Sequence, residues 1–506
     1  MMAEDAKAMS FGERLRQLAT QRGDRPALTI LEAGGGVQTI GWAELNRLVD
    51  RLAHVIAGHA AGKGTVVGIG LHNGLAHVAT VLATWRAGCT TLVFDPGTPI
   101  EQMILLFDRA GAALAIVEDG QAGAEPRLVD RAALMAAAQA APETPFADRV
   151  PRPGKIMMTG GSTGLPKLMA DDLPWKSVPG AAWGNVARAL GFRPDQVQLV
   201  CGAMSHNAPL TWAQLGLFEG HHLVVMERFD ASRALRAIDE YGVQFVMVVP
   251  TMMVRLLDAL KDIDVTFATL EAFYHTAAVC PIWLKHAWID RLGASRVFEM
   301  YGSGENVGQT IITGDEWLAH PGSVGRSFET DVRVLDADGK PLPEGEIGEL
   351  FMKRWSTAGG TRFLDPAHVA RSDPDGFVCV GDLAWLDGDG YVYLAGRRDD
   401  AINSGGIKIH PEKVEAALLS HPAVRDVVVV GVSDREWGQR VHAVIELRAG
   451  IGDVTLDDLR HHGRVQLAAA ELPKSMTVVE RLPRDGFGKV RRRAVRDLPA
   501  VAQAAN

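Results

Sequence analysis

The chain has 506 residues, more than one hydrophobic core usually organises, so at least two domains are expected. Its 47% apolar and 22% charged residues are those of a globular protein. A net charge of -9 argues against nucleic-acid or anionic-membrane partners, whose phosphates would be repelled.

Apolar residues recur at helical spacing from Ala43 to Gly58, and Val66-Val67-Gly68-Ile69-Gly70-Leu71 reads as a buried strand. A helix over Ala76 to Ala87 leads to a strand at Thr91-Leu92-Val93-Phe94, closed by the turn Asp95-Pro96-Gly97. This alternation predicts an α/β domain with buried parallel strands. Further core strands are expected at Gln198–Cys201 and Val243–Val249, the second followed by a helix through Leu260 that Thr251 could cap. Ser323 to Phe377 has the glycine-rich, short-strand texture of a β-rich subdomain. Gly390 to Gly406, dense in glycine and charge, is the candidate domain boundary. Beyond it, Pro411 opens a helix running to Ser420, and strands follow at Val427–Val430 and Val441–Leu447.

No apolar run reaches the roughly eighteen residues of a membrane span. The N-terminus lacks a basic-then-apolar leader. The cysteines, Cys89, Cys201, Cys280 and Cys379, show no metal-ligand spacing, so a reducing, cytoplasmic location is expected.

The most informative stretch is Met158-Thr159-Gly160-Gly161-Ser162-Thr163-Gly164-Leu165-Pro166-Lys167. Glycines let backbone N–H groups approach a phosphate, Thr159, Ser162 and Thr163 add hydroxyl donors, and Lys167 adds a point charge. It is not a Gly-Lys-Ser/Thr P-loop, because Pro166 precedes the lysine and Leu168 follows it. The bland alternative is a flexible linker, and the Pro-Lys ending favours phosphate.

The segment resembles the phosphate loop of the adenylate-forming (AMP-binding) superfamily, which includes acyl- and aryl-CoA synthetases. Further motifs of that family follow in order. Tyr301-Gly302-Ser303-Gly304-Glu305 resembles its Tyr-Gly-Ser/Thr-Thr-Glu motif, which implies that Tyr301 packs on adenine and that Glu305 ligates magnesium. Gly381-Asp382 resembles the motif whose aspartate holds the ribose hydroxyls. The run from Gly396-Arg397-Arg398-Asp399 to Gly405-Gly406 and Pro411 resembles the hinge segment. There Arg397 contacts ribose and phosphate, Asp399 is the pivot, and Gly405 and Gly406 line the pantetheine tunnel of coenzyme A. Arg484-Asp485-Gly486-Phe487-Gly488-Lys489 resembles the C-terminal motif with the catalytic lysine, Lys489. Ser205-His206-Asn207-Ala208-Pro209 falls where the family places a residue beside the substrate carboxylate, and Ala277-Ala278 falls where a short segment walls the nucleotide pocket. The Gly-Gly-Ser-Thr-Gly and His-Asn-Ala-Pro variants are similar to bile-acid and steroid CoA ligases. Departures from the family pattern are Gly160, Leu168 and Gly304.

The resemblance implies a large multi-subdomain N-terminal α/β domain over 1–396, a hinge at 397–399, and a small mobile α+β domain over 400–506. It implies an AMP-forming acid–thiol ligase that uses ATP, Mg2+ and coenzyme A on a bulky or hydrophobic carboxylic acid, with catalytic residues Lys489, His206 and Glu305. A homodimer is the family's further implication. Rival readings are a stand-alone enzyme loading a carrier protein, a luciferase-like oxygenase and a degenerate nucleotide-binding homologue. The pairs His221-His222 and His461-His462 read as packing or surface residues, and Arg491-Arg492-Arg493 as a solvated run.

Overall fold

The structure is a computed structural model that describes residues 7–59, 65–159, 166–171, 173–304, 306–356, 361–365, 369–450, 452, 454–485, 490 and 492–504. For 159, 399, 493, 503 and 504 it describes the backbone alone.

Two large sheets dominate the N-terminal part. The first has the strand order Arg326–Ser327, Gln309–Thr313, Val297–Gly302, Ala272–His275, Phe245–Val248, Val197–Val200, His222–Met226, Pro26–Leu31 and Val37–Gly41. Its central strands, from Val297–Gly302 to Pro26–Leu31, pair in parallel. The second is built from Thr361–Phe363, Lys167–Asp171, Lys155–Thr159, Thr90–Val93, Val66–Gly70, Ala112–Val117 and Leu128–Asp130. Continuous runs such as Phe245-Val246-Met247-Val248, all buried, form these strands because both faces of the sheet are buried there.

The predicted elements are found with small shifts of boundary, as Trp42–His59, Val66–Gly70, Leu75–Arg86, Thr90–Val93, Val197–Val200 and Phe245–Val248. One capping assignment is corrected. Pro250 occupies the first turn of Pro250–Ala259, and Val249, not Thr251, is the cap residue. Proline wins that position because it has no N–H to lose there and its φ is already helical.

Downstream lies an antiparallel sheet of Thr330–Leu335, Gly348–Arg354, Val378–Leu386 and Val392–Arg397, which carries the β-rich texture past Phe377. The small C-terminal domain has its own sheet, in the order Ile407–Ile409, Ile402–Ser404, Gly438–Leu447 and Val424–Asp434, with Ser475–Val479 pairing the long Gly438–Leu447 strand. Its apolar clusters draw on residues from Ile402 to Val501. The helix Pro411–Leu419 begins on its proline and buries Val414 and Leu418, one turn apart.

Arg492 departs from the solvated reading. It is largely buried and pairs with Glu412 at 2.7 Å, with Glu415, and with Asp400 at 3.4 Å. Three carboxylates keep its guanidinium charged despite burial. The network ties Asp400, directly after Asp399, to the C-terminal domain. Among the described residues no helix is long and apolar enough to cross a membrane.

Candidate active site

In a parallel sheet, ligands bind outside the carboxyl ends of the strands. The candidate residues of the first sheet gather at that edge. Val197–Val200 runs out toward Ser205 and His206, Ala272–His275 into Thr276-Ala277-Ala278, and Val297–Gly302 into Ser303. Asn73 braces this edge from the second sheet: its amide donates to Gly202 O and Met226 O at 2.9 and 3.0 Å and accepts from the Met204 amide at 2.8 Å.

Tyr301, Asp382 and Arg397 converge. The Tyr301 hydroxyl donates to Asp382 Oδ2, and Arg397 Nε donates to Asp382 Oδ1 at 3.1 Å. The second contact follows from strand register, which places Asp382 opposite Arg397. Asp382 is mostly buried while Arg397 is 63% exposed, so the carboxylate is held from within and reached from outside.

The Ala277-Ala278 segment is fastened to the tyrosine strand by the Thr276 hydroxyl, which donates to Met300 O at 2.7 Å. Both alanines are exposed. Ala277 has φ +76°, a left-handed conformation that a Cβ-bearing residue adopts only under local constraint. Beneath this wall, Lys285 Nζ contacts Glu299 Oε2 at 2.6 Å with both side chains buried, and His275 Nε2 stands 3.8 Å from the same carboxylate. Burial pushes the Glu299 carboxyl up against the opposing Lys285 charge, and burial holds His275 neutral. Ser205 Oγ and Ser303 Oγ, both buried, have no hydrogen-bond partner among the described residues.

His206 is the cap residue of the helix Asn207–Glu219. Its Nε2 lies 3.9 Å from Asp485 Oδ1, at the end of the described part of the C-terminal motif. A second cross-domain contact joins Arg448 to Asp258.

Gly405 and Gly406 have φ +61° and +86°. A Cβ on Gly405 would come 2.5 Å from the Trp437 ring, whereas one on Gly406 meets nothing within 4 Å. Lys474 Nζ sits 3.4 Å from the centre of the Trp437 ring.

The chain matches the AMP-binding enzyme family over residues 15–360 and the AMP-binding enzyme C-terminal domain over residues 413–489. The medium/long-chain-fatty-acid–CoA ligase FadD8 of Mycobacterium tuberculosis is 31% identical over 492 residues, 93% of this chain and 82% of that one. The chain belongs to the AMP-binding enzyme family.

A 2-succinylbenzoate–CoA ligase of Bacillus cereus is 27% identical across 96% of this chain and 98% of its own. The fold matches o-succinylbenzoate CoA synthetase of Bacillus subtilis, solved with its acyl-adenylate intermediate. The TM-score is 0.80 and the identity 24%, over 98% of this chain and 99% of that chain. ATP-bound MatB from Rhodopseudomonas palustris matches with a TM-score of 0.78 at 24% identity, over 97% and 99% of the two chains. The expected fold class, a large N-terminal domain and a small C-terminal one, is therefore observed. The chain is an acid–thiol ligase of this AMP-binding family, and the Mycobacterium tuberculosis and Bacillus cereus relatives are CoA ligases by name.

As an AMP-binding enzyme, the chain has site candidates that divide into three groups. Tyr301, Asp382 and Arg397 are brought into contact, and His206 is brought to the C-terminal motif. Lys167 is described opposite Thr159, with its ammonium 5.6 Å from the Phe363 ring. Gly160, Gly161, Ser162, Thr163, Gly164, Glu305 and Lys489 lie outside the described residues, as does the side chain of Asp399. Sequence reasoning missed Lys285 and Glu299. A lysine inside the apolar helical run Ile282-Trp283-Leu284-Lys285-His286-Ala287-Trp288 was the available signal, since a buried lysine needs a carboxylate.

Proposed function

We propose that this enzyme activates a bulky or hydrophobic carboxylic acid as its acyl-adenylate and passes the acyl group to coenzyme A. The observation that carries the reading is the approach of Asp485 to His206, because it brings the described start of the C-terminal motif to the cap of the helix beside the proposed acid site. The aliphatic and aryl acids in the names of its relatives are the first classes to try, with bile-acid and steroid acids beside them.

In this reading Tyr301 stacks on adenine, and Asp382, steadied by Tyr301 and Arg397, accepts from the two ribose hydroxyls. Ala277 and Ala278 wall the nucleotide with Gly302 and Ser303. The 159–167 loop and Lys167 hold phosphates. The substrate carboxylate is already ionised at neutral pH, so it attacks the α-phosphorus without a general base. Rate enhancement then comes from positioning and from charge stabilisation by Lys489.

Among the described residues no three metal-ligand side chains cluster. Magnesium is commonly held by nucleotide phosphates and one or two carboxylates, and Glu305, outside the described residues, is the carboxylate the sequence offers. Its contribution would be neutralisation of phosphate charge.

The second half-reaction follows a turn of the C-terminal domain, residues 400–506, about the 397–399 hinge with Asp399 as pivot, away from residues 1–396. Arg492 supports that placement by fixing Asp400 to the moving side. Gly405 and Gly406 then border the tunnel for the coenzyme A thiol. The reading includes a cytoplasmic homodimer, which light scattering and localisation of a tagged chain would test.

The deciding experiment is incubation with ATP, magnesium, coenzyme A and pooled fatty, aryl, bile and steroid acids, read by mass spectrometry. A new acyl-CoA with AMP is the expected result. ATP binding without AMP from any acid would sink the proposal.

A further inference from the structure

Lys155 opens the strand that leads to the glycine-rich loop, yet its side chain serves the neighbouring helix. It is buried, 7% exposed, and its ammonium donates to Asn207 Oδ1 at 2.6 Å and to Thr211 Oγ1, one turn further along Asn207–Glu219. The Trp175 ring centre is 5.5 Å away. Among the described residues no carboxylate stands within ion-pair distance. Asp171, on the adjoining strand, acts on Lys155 only through its field.

An ammonium and a donating hydroxyl can address only the oxygen of a carboxamide. Lys155 donates to Asn207 Oδ1, and the Thr211 hydroxyl donates to the same oxygen at 3.2 Å. The direction of the amide is thereby decided: oxygen inward, NH2 outward. Asn207 is exposed, although the cation behind it is not. It therefore presents a fixed, polarised N–H donor at the carboxyl edge of the parallel sheet, next to His206 and on the side that Asp485 approaches. Burying an ammonium against neutral oxygens alone is costly, and an apolar side chain would fill the same space more cheaply.

We propose that Asn207 donates its Nδ2–H to an oxygen of the substrate carboxylate as the acyl-adenylate forms, and that Lys155 is the positioning residue that fixes this amide. The inference rests on the acid-activation reading above and adds a specificity to it. An outward donor backed by a cation accepts a carboxylate oxygen and rejects an ammonium at the neighbouring carbon, so the enzyme takes acids without an α-amino group.

A pH dependence follows. A neutral amine can accept a hydrogen bond, so deprotonation of Lys155 frees the amide to turn. Burial draws this lysine down to about 8, with Asp171 opposing. Among the described residues, His206 and Asp485 are the titratable groups placed beyond Asn207.

The test is acid-dependent ATP–pyrophosphate exchange with octanoate, phenylacetate, 2-succinylbenzoate and the pooled acids, from about pH 6.5 to 9.5. Wild type is compared with Asn207→Leu, Asn207→Asp and Lys155→Met. Both Asn207 variants are expected to raise the acid KM by about tenfold or more while the ATP KM stays within about twofold. Asn207 is exposed, so these variants keep the fold, which thermal melting checks. Lys155→Met is expected to raise the acid KM likewise and to erase an alkaline fall in kcat/KM near pH 8 that wild type shows. An unchanged acid KM in Asn207→Leu, or superimposable pH profiles for wild type and Lys155→Met, overturns the inference alone. Wild type inactive with every acid overturns the acid-activation reading, and this inference with it.

Discussion

His206 Nε2 and Asp485 Oδ1 lie 3.9 Å apart across the two domains, 279 positions apart in the chain by subtraction of their numbers. The separation is that of a long ion pair or a water-bridged one. It brings the described start of the C-terminal motif to His206, beside the acid site proposed above. Lys489, four residues on, should therefore matter for adenylation alone. Lys489→Ala is expected to slow acyl-AMP formation by roughly 100-fold or more, the scale of losing one transition-state donor. Thioester formation from supplied acyl-AMP should change only a few-fold. Equal losses in both half-reactions would refute domain alternation.

Arg448 and Asp258 make a further cross-domain contact, with their side chains 22% and 34% exposed. A half-exposed pair of this kind contributes about 0.2–1 kcal/mol, so it biases the domain arrangement gently. Arg448→Ala is expected to lower the adenylation rate by about two- to fivefold and to leave the thioester step unchanged or faster, the difference shrinking at high salt. A loss confined to the thioester step would reverse the assignment.

Asp382 accepts from both Tyr301 and Arg397, so its oxygens are already ordered when ATP arrives. Asp382→Ala removes the proposed ribose acceptor and leaves two donors facing each other across the gap. The ATP KM should rise about tenfold or more, from hydrogen bonds to a charged group worth roughly 1.5–3 kcal/mol each, with the acid KM little changed. Tyr301→Phe keeps the ring and should cost less than Asp382→Ala. A larger effect on the acid than on ATP would displace Asp382 from the ribose site.

What the sequence made legible is what local chemistry determines. Strands such as Phe245–Val248 declared themselves because both faces are buried, and Pro411 marked a helix start because its φ is fixed. Tyr301, Asp382 and Arg397 were legible as motif residues, and strand register brings Asp382 and Arg397 together. Side chains whose meaning lies in distant partners were not legible. Arg492 sat in a basic run, but its carboxylates are 77 to 92 positions away by subtraction. Lys155 carries no local signal, because its acceptors lie 52 and 56 positions on.

Burial also sets the acid limit of stability. His77 and His221 are fully buried, and burial lowers each from 6.5 to about 4. The unfolded chain binds these protons more readily, so stability conferred by the neutral rings is present above about pH 6.5 and lost as pH falls toward 4. Each histidine could withdraw up to about 3 kcal/mol across that window. Thermal melting from pH 7 to 4.5 should show a steep fall, lessened in His77→Gln. A flat profile between pH 6.5 and 5 would contradict the burial argument.

Lys155 poses the same linkage with opposite consequence for engineering. Its folded-state value of about 8 lies below the ordinary 10.5, so the folded protein carries a cost of charge burial at every pH below 8. That cost is of order 3 kcal/mol by linkage, and it is relieved as pH rises from 8 toward 10.5, where the folded chain sheds the proton first. Lys155→Met removes that charge cost and also two hydrogen bonds, which, counted against the neutral amine because the charge is already accounted for, are worth about 1 kcal/mol each. The variant should therefore melt slightly higher than wild type at pH 7, with the gap closing by about pH 9.5, while its acid KM is worse. A variant that melts lower by the same margin at all pH values would make Lys155 a structural strut rather than a positioning residue. Stability gained together with acid affinity lost is the pattern expected of a group whose cost the fold carries for its site.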